Sequence, residues 1–210
     1  TMAAERISVR CCIVGGGPAG MMLGYLLARA GVQVLVLEKH ADFLRDFRGD
    51  TIHPSTLEVM FELGLLEKFL QLPQQKVYEL AAQVGEMRVT IADFRHLPTH
   101  CRFIALMPQW DFLNFLAEQA ARFPNFALRM EAEVTGLVQE SGRVMGVHAN
   151  TPRGTIEVRS DLVVGADGRT SIVREQAGLK VEDLGAPMDV LWFRLTRSPD
   201  DPVVTMGRFD

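Results

Sequence analysis

The chain has 210 residues, 48% of them hydrophobic and 23% charged, with a formal net charge of -4. That length allows one sizeable core, or a domain with a smaller companion, and the mild acidity excludes a general nucleic-acid binder, which needs a basic face. No stretch approaches the roughly 20 apolar residues of a membrane-spanning helix, and the polar start running into Ile7 lacks signal-peptide architecture.

Residues 7–14 are apolar, rich in β-branched types, and end at Gly15-Gly16-Gly17, so they read as a buried strand. Residues 18–30 read as a helix. Pro18 sits in its first turn, where a missing N–H costs nothing; Leu23, Leu26, Leu27 and Ala30 form an apolar face, and Gly31 closes it. Residues 32–37 are a second buried strand ending at Glu38. This is a βαβ unit in about 30 residues, the building block of a parallel sheet. The pattern predicts a helix over 54–70, with Leu57, Met60, Phe61 and Leu65 on one side and an interruption at Gly64. Strand-like runs follow at 79–84, 87–92 and 102–106, then a helix over 110–122 with Leu113, Leu116, Ala117 and Ala120 inward. Runs at 131–139, 143–149 and 155–159, separated by turn residues, predict an antiparallel meander. A strand at 162–164, a helix at 171–176 and strands at 191–196 and 203–206 complete the chain. The three cysteines, Cys11, Cys12 and Cys101, have no metal-ligand spacing and read as buried thiols in a reduced, cytoplasmic setting.

Gly15-x-Gly17-x-x-Gly20 stands between the first strand and the first helix. One glycine makes the tight turn, the next admits a pyrophosphate to the backbone, and the third lets helix and sheet pack closely. With Pro18 and Ala19 this run forms a helix N-terminus, whose partial positive charge and free donors suit phosphate. Glu38 follows about 20 residues later, where a carboxylate accepts from both ribose hydroxyls. It disfavours a phosphate on that ribose, so FAD or NAD fits better than NADP. The fingerprint alone does not choose between them.

Three further segments bear on the choice. The sequence holds Arg48-Gly49-Asp50-Thr51-Ile52-His53-Pro54 before a helix, Met107-Pro108-Gln109-Trp110 at another helix start, and Asp161-Leu162-Val163-Val164-Gly165-Ala166-Asp167-Gly168 followed by Ser171 and Arg174. With the glycine fingerprint, this set resembles the FAD-dependent monooxygenases related to para-hydroxybenzoate hydroxylase, in the same order and over nearly the whole chain. The resemblance implies an α/β fold: a Rossmann-like FAD-binding domain with a β-meander, plus a smaller β-rich substrate domain, incomplete here. The expected boundaries are 1–76 with 101–180 for the FAD-binding domain and 77–100 with 181–210 for part of the substrate domain. The resemblance also implies FAD as cofactor and NAD(P)H as reductant. A flavin C4a-hydroperoxide would transfer oxygen to an aromatic or related ring of a small-molecule substrate.

The same resemblance places Arg48 beside the cofactor, where a guanidinium can bind phosphate oxygens bidentately; Arg45 is near enough to exchange roles. Gln109 offers a donor and an acceptor toward ribityl hydroxyls. Asp167 lies near the ribityl and pyrophosphate region, although an Asp before Gly168 also has the chemistry of a turn residue. Lys39 either covers the adenosine or is solvated, and Val134 meets the adenine through its backbone by family analogy only. The reductant is expected near Arg45, Arg48 and Asp167. His53, His96, His100 and His148 form no Ser-His-Asp or metal pattern, and no side chain is assigned as catalytic acid or base. Family members run to about twice this length, and their Gly-Asp-Ala-x-His-type motif has no match here, so the chain is expected to be a fragment. A halogenase, reductase or oxidase of the same fold, or a non-catalytic flavin-binding module, are the alternatives.

Overall fold

Apolar β1 (Glu5–Val14) leads through the glycine run into α1 (Pro18–Arg29), and the chain returns parallel to β1 as β2 (Val34–Leu37). This computed structural model describes residues 5–44, 51–185, 191, 196, 198–201 and 206–209. Residues 11–14 pair with residues 34–37, and all eight are buried, because a central parallel strand is covered on both faces. Alternation puts Cys12 and Val14 on one face and Ile13 on the other.

The chain continues as β3 (Thr51–Ile52), α2 (Pro54–Glu62), α3 (Leu66–Phe69), β4 (Gln75–Val77), β5 (Glu79–Val84), β6 (Met87–Asp93) and a 3-10 turn at Phe94–His96. Then come β7 (Ile104–Leu106), α4 (Gln109–Ala120), β8 (Phe126–Arg129), β9 (Glu133–Glu140), β10 (Arg143–Thr151), β11 (Gly154–Gly165), α5 (Ile172–Gln176) and β12 (Met206–Phe209). These elements form two compact units, Thr1–Leu44 with Phe112–Pro187, and Arg45–Asp111 with Met188–Asp210.

The first unit is built on one six-stranded sheet in the order β8-β2-β1-β11-β10-β9. β8, β2, β1 and β11 run parallel, and the meander β9-β10-β11 runs antiparallel. β11 pairs with β1 along nearly its whole length and with β10 over its first half, so the meander is hydrogen-bonded into the parallel sheet. Cys12, Val14, Leu35, Leu37, Ala132, Val147, Ala149, Ile156 and Val158 form one apolar cluster. Ile13 and Val36 instead face α1, where a Cβ on Gly24 would lie 2.9 Å from Val36 Cγ2.

The second unit holds two three-stranded sheets, β3-β7-β4 and β12-β5-β6. Leu57, Met60, Phe69, Val77, Phe103 and Ala105 are buried in it. On β6, Met87, Val89 and Ile91 alternate along the strand and are 67%, 47% and 63% exposed.

Several sequence expectations are corrected. The helical run expected over 54–70 is interrupted at Gly64 as anticipated, where the backbone turns to φ +71, and the interruption makes it two separate helices. The strands expected at 155–159 and 162–164 are one, β11. The charges between them are paired, Arg159 with Glu157 and Glu140, and Asp161 with Arg10 of β1, so they do not break the ladder. α1 buries Gly20, Met21, Gly24, Tyr25 and Ala28 rather than its leucine face; Leu26 is exposed. Glycines four apart bring that side closest to the sheet, and closeness decides the buried face. By compactness, residues 45–76 and 101–111 group with 77–100, and β3, β4 and β7 share one sheet. β3, β4 and β8 had not been anticipated. Residues 192–195 of the strand expected at 191–196 and most of that at 203–206 lie outside the described residues; Met206 opens β12.

Candidate cofactor site

At the end of β1, Gly15 has φ +107, a conformation open to glycine and strained for other residues. Its N–H donates to Leu37 O (2.8 Å), and Ala166 N–H donates to Val14 O (2.7 Å). A Cβ on Gly15 would lie 2.3 Å from Ala166 O and 2.9 Å from Asp167 N. The glycine run, the end of β2 and the Asp-Gly turn therefore converge. Gly20 is buried, and a Cβ there would lie 1.9 Å from Gly15 O. The protein's own packing thus requires glycine at both positions.

Gly17 is different. Its φ is -72, which any residue adopts, and no heavy atom lies within 4 Å of the place its Cβ would take. It is the N-cap of α1, with no side-chain cap hydrogen bond and no acidic residue in the first turn. Pro18 and Ala19 beside it are exposed. An uncapped helix N-terminus over open space presents N–H donors and partial positive charge to an approaching anion.

Glu38, just past β2, is only 7% exposed. Its Oε2 accepts from Gly16 N–H (2.8 Å), and its Oε1 accepts from His40 N–H (3.0 Å) and pairs with His40 Nδ1 (2.6 Å). A Cβ on Gly16 would come within 2.9 Å of Glu38 Cβ, so a side chain there would displace the carboxylate. Lys39 is exposed. The roles of Gly16 and His40 were missed in the sequence; a histidine two residues past a strand-terminal acid was the available signal.

Asp167 is committed locally. Its Oδ1 accepts from Ser171 Oγ (2.5 Å), and its Oδ2 from the N–H groups of Ile172 (2.8 Å) and Val173 (3.3 Å). Ser171 caps α5 by accepting from Arg174 N–H (3.0 Å). Asp167 and Ser171 together hold the start of α5, and the Asp-Gly turn leans on Gly15. Val134 lies in β9 opposite Ala149, two residues past Ala132, whose N–H donates to Glu38 O (2.9 Å). Within the first unit, Gly15, Gly17, Pro18, Ala19, Gly20, Glu38, Lys39, Val134 and Asp167 thus belong to segments bound to one another. Gln109 opens α4 and groups with the second unit. Arg48 and Arg45 lie outside the described residues.

This arrangement joins an anion-receptive helix end, an acid at the end of the next strand and a braced Asp-Gly turn. Residues 8–206 match the FAD binding domain family. The chain belongs to that family. FAD is its cofactor, and the open space at Gly17 fits a pyrophosphate that would exclude a side chain there. As a member of the FAD binding domain family, the chain is 34% identical over 186 residues to the 6-methylpretetramide 4-monooxygenase of Streptomyces rimosus, across 88% of this chain and 44% of that protein. It is 31% identical to a probable NADH-specific resorcinol 4-hydroxylase of Rhodococcus jostii, across 87% of this chain and 35% of that one. The crystal structure of a p-nitrophenol 4-monooxygenase from Pseudomonas putida superposes with TM-score 0.73 at 28% identity, covering 84% of this chain and 45% of the other. The chain therefore spans between about a third and a half of the length of these proteins.

Proposed function

We propose that the chain is the FAD-binding part of a monooxygenase that uses NAD(P)H and oxygen to hydroxylate an aromatic or related ring. One observation carries this: relatives named as a monooxygenase and a hydroxylase align over 88% and 87% of the chain. Bound FAD supplies electron transfer from the reductant and activation of oxygen.

The chain's own residues bind and orient. Gly15, Gly17, Pro18, Ala19 and Gly20 form the pyrophosphate cradle, with the N-terminus of α1 as the positive end. Glu38 receives the adenosine ribose, Lys39 flanks the adenosine, and the backbone at Val134 meets the adenine. Asp167 keeps α5 and its own turn in place against Gly15, which fixes one wall of the cradle. Arg48 and Gln109 act on the phosphate and ribityl portions. We assign β5, β6 and β12 to a substrate-binding domain, where exposed Met87, Val89 and Ile91 offer an apolar face to a ring. Three buried thiols with no disulfide suit a reduced, cytoplasmic setting, and no helix among the described residues is long and apolar enough to cross a membrane.

The test uses the full-length protein. A visible flavin spectrum after gentle purification, with NADH or NADPH consumption stimulated by members of a panel of phenols and heteroaromatics, and oxygen incorporated into product, is the expected result. A colourless protein would remove the FAD-binding premise; flavin reduction without ring oxygenation would leave the fold and discard the hydroxylase.

A further inference from the structure

Glutamate has three side-chain torsions, and each must be frozen before its carboxylate can face a ligand in one orientation. At Glu38, among the described residues, two separate parts of the chain do this. Gly16 N–H fixes Oε2, while the N–H and ring of His40 fix Oε1. With the carboxylate ionised it can only accept, and the contact then needs the His40 tautomer that carries its hydrogen on Nδ1. His40 is itself anchored: its carbonyl accepts from Glu131 N–H (2.9 Å), and the N–H and carbonyl of Glu38 pair with Arg129 O and Ala132 N–H (both 2.9 Å). Glu131 holds that position with φ +52, an uncommon conformation for a non-glycine residue. The His40 side chain is 45% exposed and that of Glu38 9%, so the ring closes the solvent side of a buried acid.

We propose that His40 is a positioning residue for the adenosine half of the dinucleotide, acting through Glu38. It turns and holds the carboxylate in advance, so that ribose hydroxyls meet an acceptor whose orientation costs nothing further on binding. This rests on the assignment of Glu38 to the ribose.

The test is a fluorescence titration of deflavinated full-length protein with FAD and with an FAD analogue carrying a 2′,3′-dideoxyadenosine half. His40→Ala should weaken FAD by about tenfold, the equivalent of one hydrogen bond to a charged group. It should leave the analogue's affinity unchanged. His40→Asn, whose amide supplies a donor near the place of Nδ1, should restore most of the FAD affinity. In a Glu38→Ala background, His40→Ala should add no further loss. Where deflavinated protein does not refold, the rate of FAD release from the holoprotein gives the same comparison. Equal weakening of FAD and the analogue, failure of His40→Asn to restore binding, or a full His40 effect without Glu38 would overturn the proposal. Wild-type affinity in His40→Ala alongside weakened binding in Glu38→Ala would remove His40 alone. Wild-type affinity in Glu38→Ala would remove the ribose assignment, and His40's role with it.

Discussion

A side chain on Gly15 would place its Cβ 2.3 Å from the carbonyl oxygen of Ala166, a backbone atom at the start of the Asp-Gly turn. The two segments are more than 150 positions apart in sequence yet are joined through the β1–β11 pairing, which runs from Glu5↔Ile156 to Val14↔Gly165. Gly15→Ala therefore meets two penalties, a φ of +107 and a clash that no side-chain rotation relieves. It should destabilise the protein by roughly 2–4 kcal/mol, visible as a lower urea midpoint with or without FAD. A wild-type midpoint would show that the turn can move away freely.

Gly17→Ala should behave in the opposite way. Nothing in the chain occupies the space its methyl would enter, and φ -72 is ordinary. The apoprotein should lose less than about 1 kcal/mol, since the change at this N-cap is Gly to Ala only. FAD affinity should fall by at least tenfold, because the methyl enters the space expected for the pyrophosphate. The pair separates glycine kept for folding from glycine kept for ligand, and requires only unfolding curves and flavin titrations.

That separation also marks what was legible in the sequence. The glycine run and Glu38 were readable because their demands are local: a strand end, a turn, a helix start and an acid about 20 residues on. The bond between Glu38 and His40 was not readable, since it depends on how the chain bends after β2. β8 was missed because Phe126–Arg129 is four residues long with a charged end; its place beside β2 is supported from outside, by Asn125 Nδ2 donating to Ala28 O and Val32 O (2.9 and 2.7 Å). β11 was read as two strands because the ion pairs that accommodate Arg159 and Asp161 come from other strands. The expected domain boundaries came with the family resemblance, whereas the compact units follow sheet pairing: β3, β4 and β7 join residues from 51 to 106 in one sheet. Arg48, read as a phosphate ligand, lies outside the described residues.

Asp167 should show a stability effect before any effect on chemistry. Its carboxylate accepts from one hydroxyl and two backbone N–H groups at the start of α5. Asp167→Ala should cost roughly 1–2 kcal/mol, the range for losing a helix cap. Ser171→Ala removes one of those donors and the bond from Arg174 N–H, and should move stability in the same direction. If Asp167 acts on FAD by bracing the turn, Ser171→Ala will also weaken flavin binding. Loss of flavin in Asp167→Asn with wild-type stability and unaffected binding in Ser171→Ala would instead assign Asp167 direct contact.

Glu58 and His100 give a pH prediction in the second unit. Glu58 accepts from His100 N–H (3.0 Å) and pairs with its Nδ1 (2.8 Å), while the His100 ring stacks on Phe61 with centroids 3.4 Å apart. The backbone bond from His100, followed by the ring bond, holds the Glu58 carboxyl below its ordinary value. A group whose folded pKa is depressed contributes stability above its unfolded pKa, and that contribution is lost as pH falls through the folded one. Wild-type protein should therefore lose stability below about pH 4.3, the unperturbed glutamate value, more steeply than Glu58→Gln. Urea midpoints from pH 6 down to pH 3 test this. Parallel curves for the two proteins would mean that the pair makes no net contribution.

The thiols should be silent in the native state. Burial pushes the Cys12 thiol up to about 12, with the neighbouring Cys11 adding to the shift, and burial likewise raises Cys11 and Cys101. At pH 8 a thiol titrating near 12 is ionised on the order of one part in ten thousand, and the thiolate is the reacting species. All three side chains are also buried, that of Cys12 within the apolar cluster of the first unit. A disulfide-exchange reagent at pH 8 should find no rapidly reacting thiol among these three in folded protein and three equivalents after denaturation. Because Cys11 and Cys12 sit at the centre of the sheet, their slow reaction should report opening of the first unit. FAD should slow it further in proportion to its binding, as expected for a ligand held only by the folded form. Rapid labelling of Cys101 alone would place the least stable region in the second unit, and would leave the burial argument intact for the β1 pair.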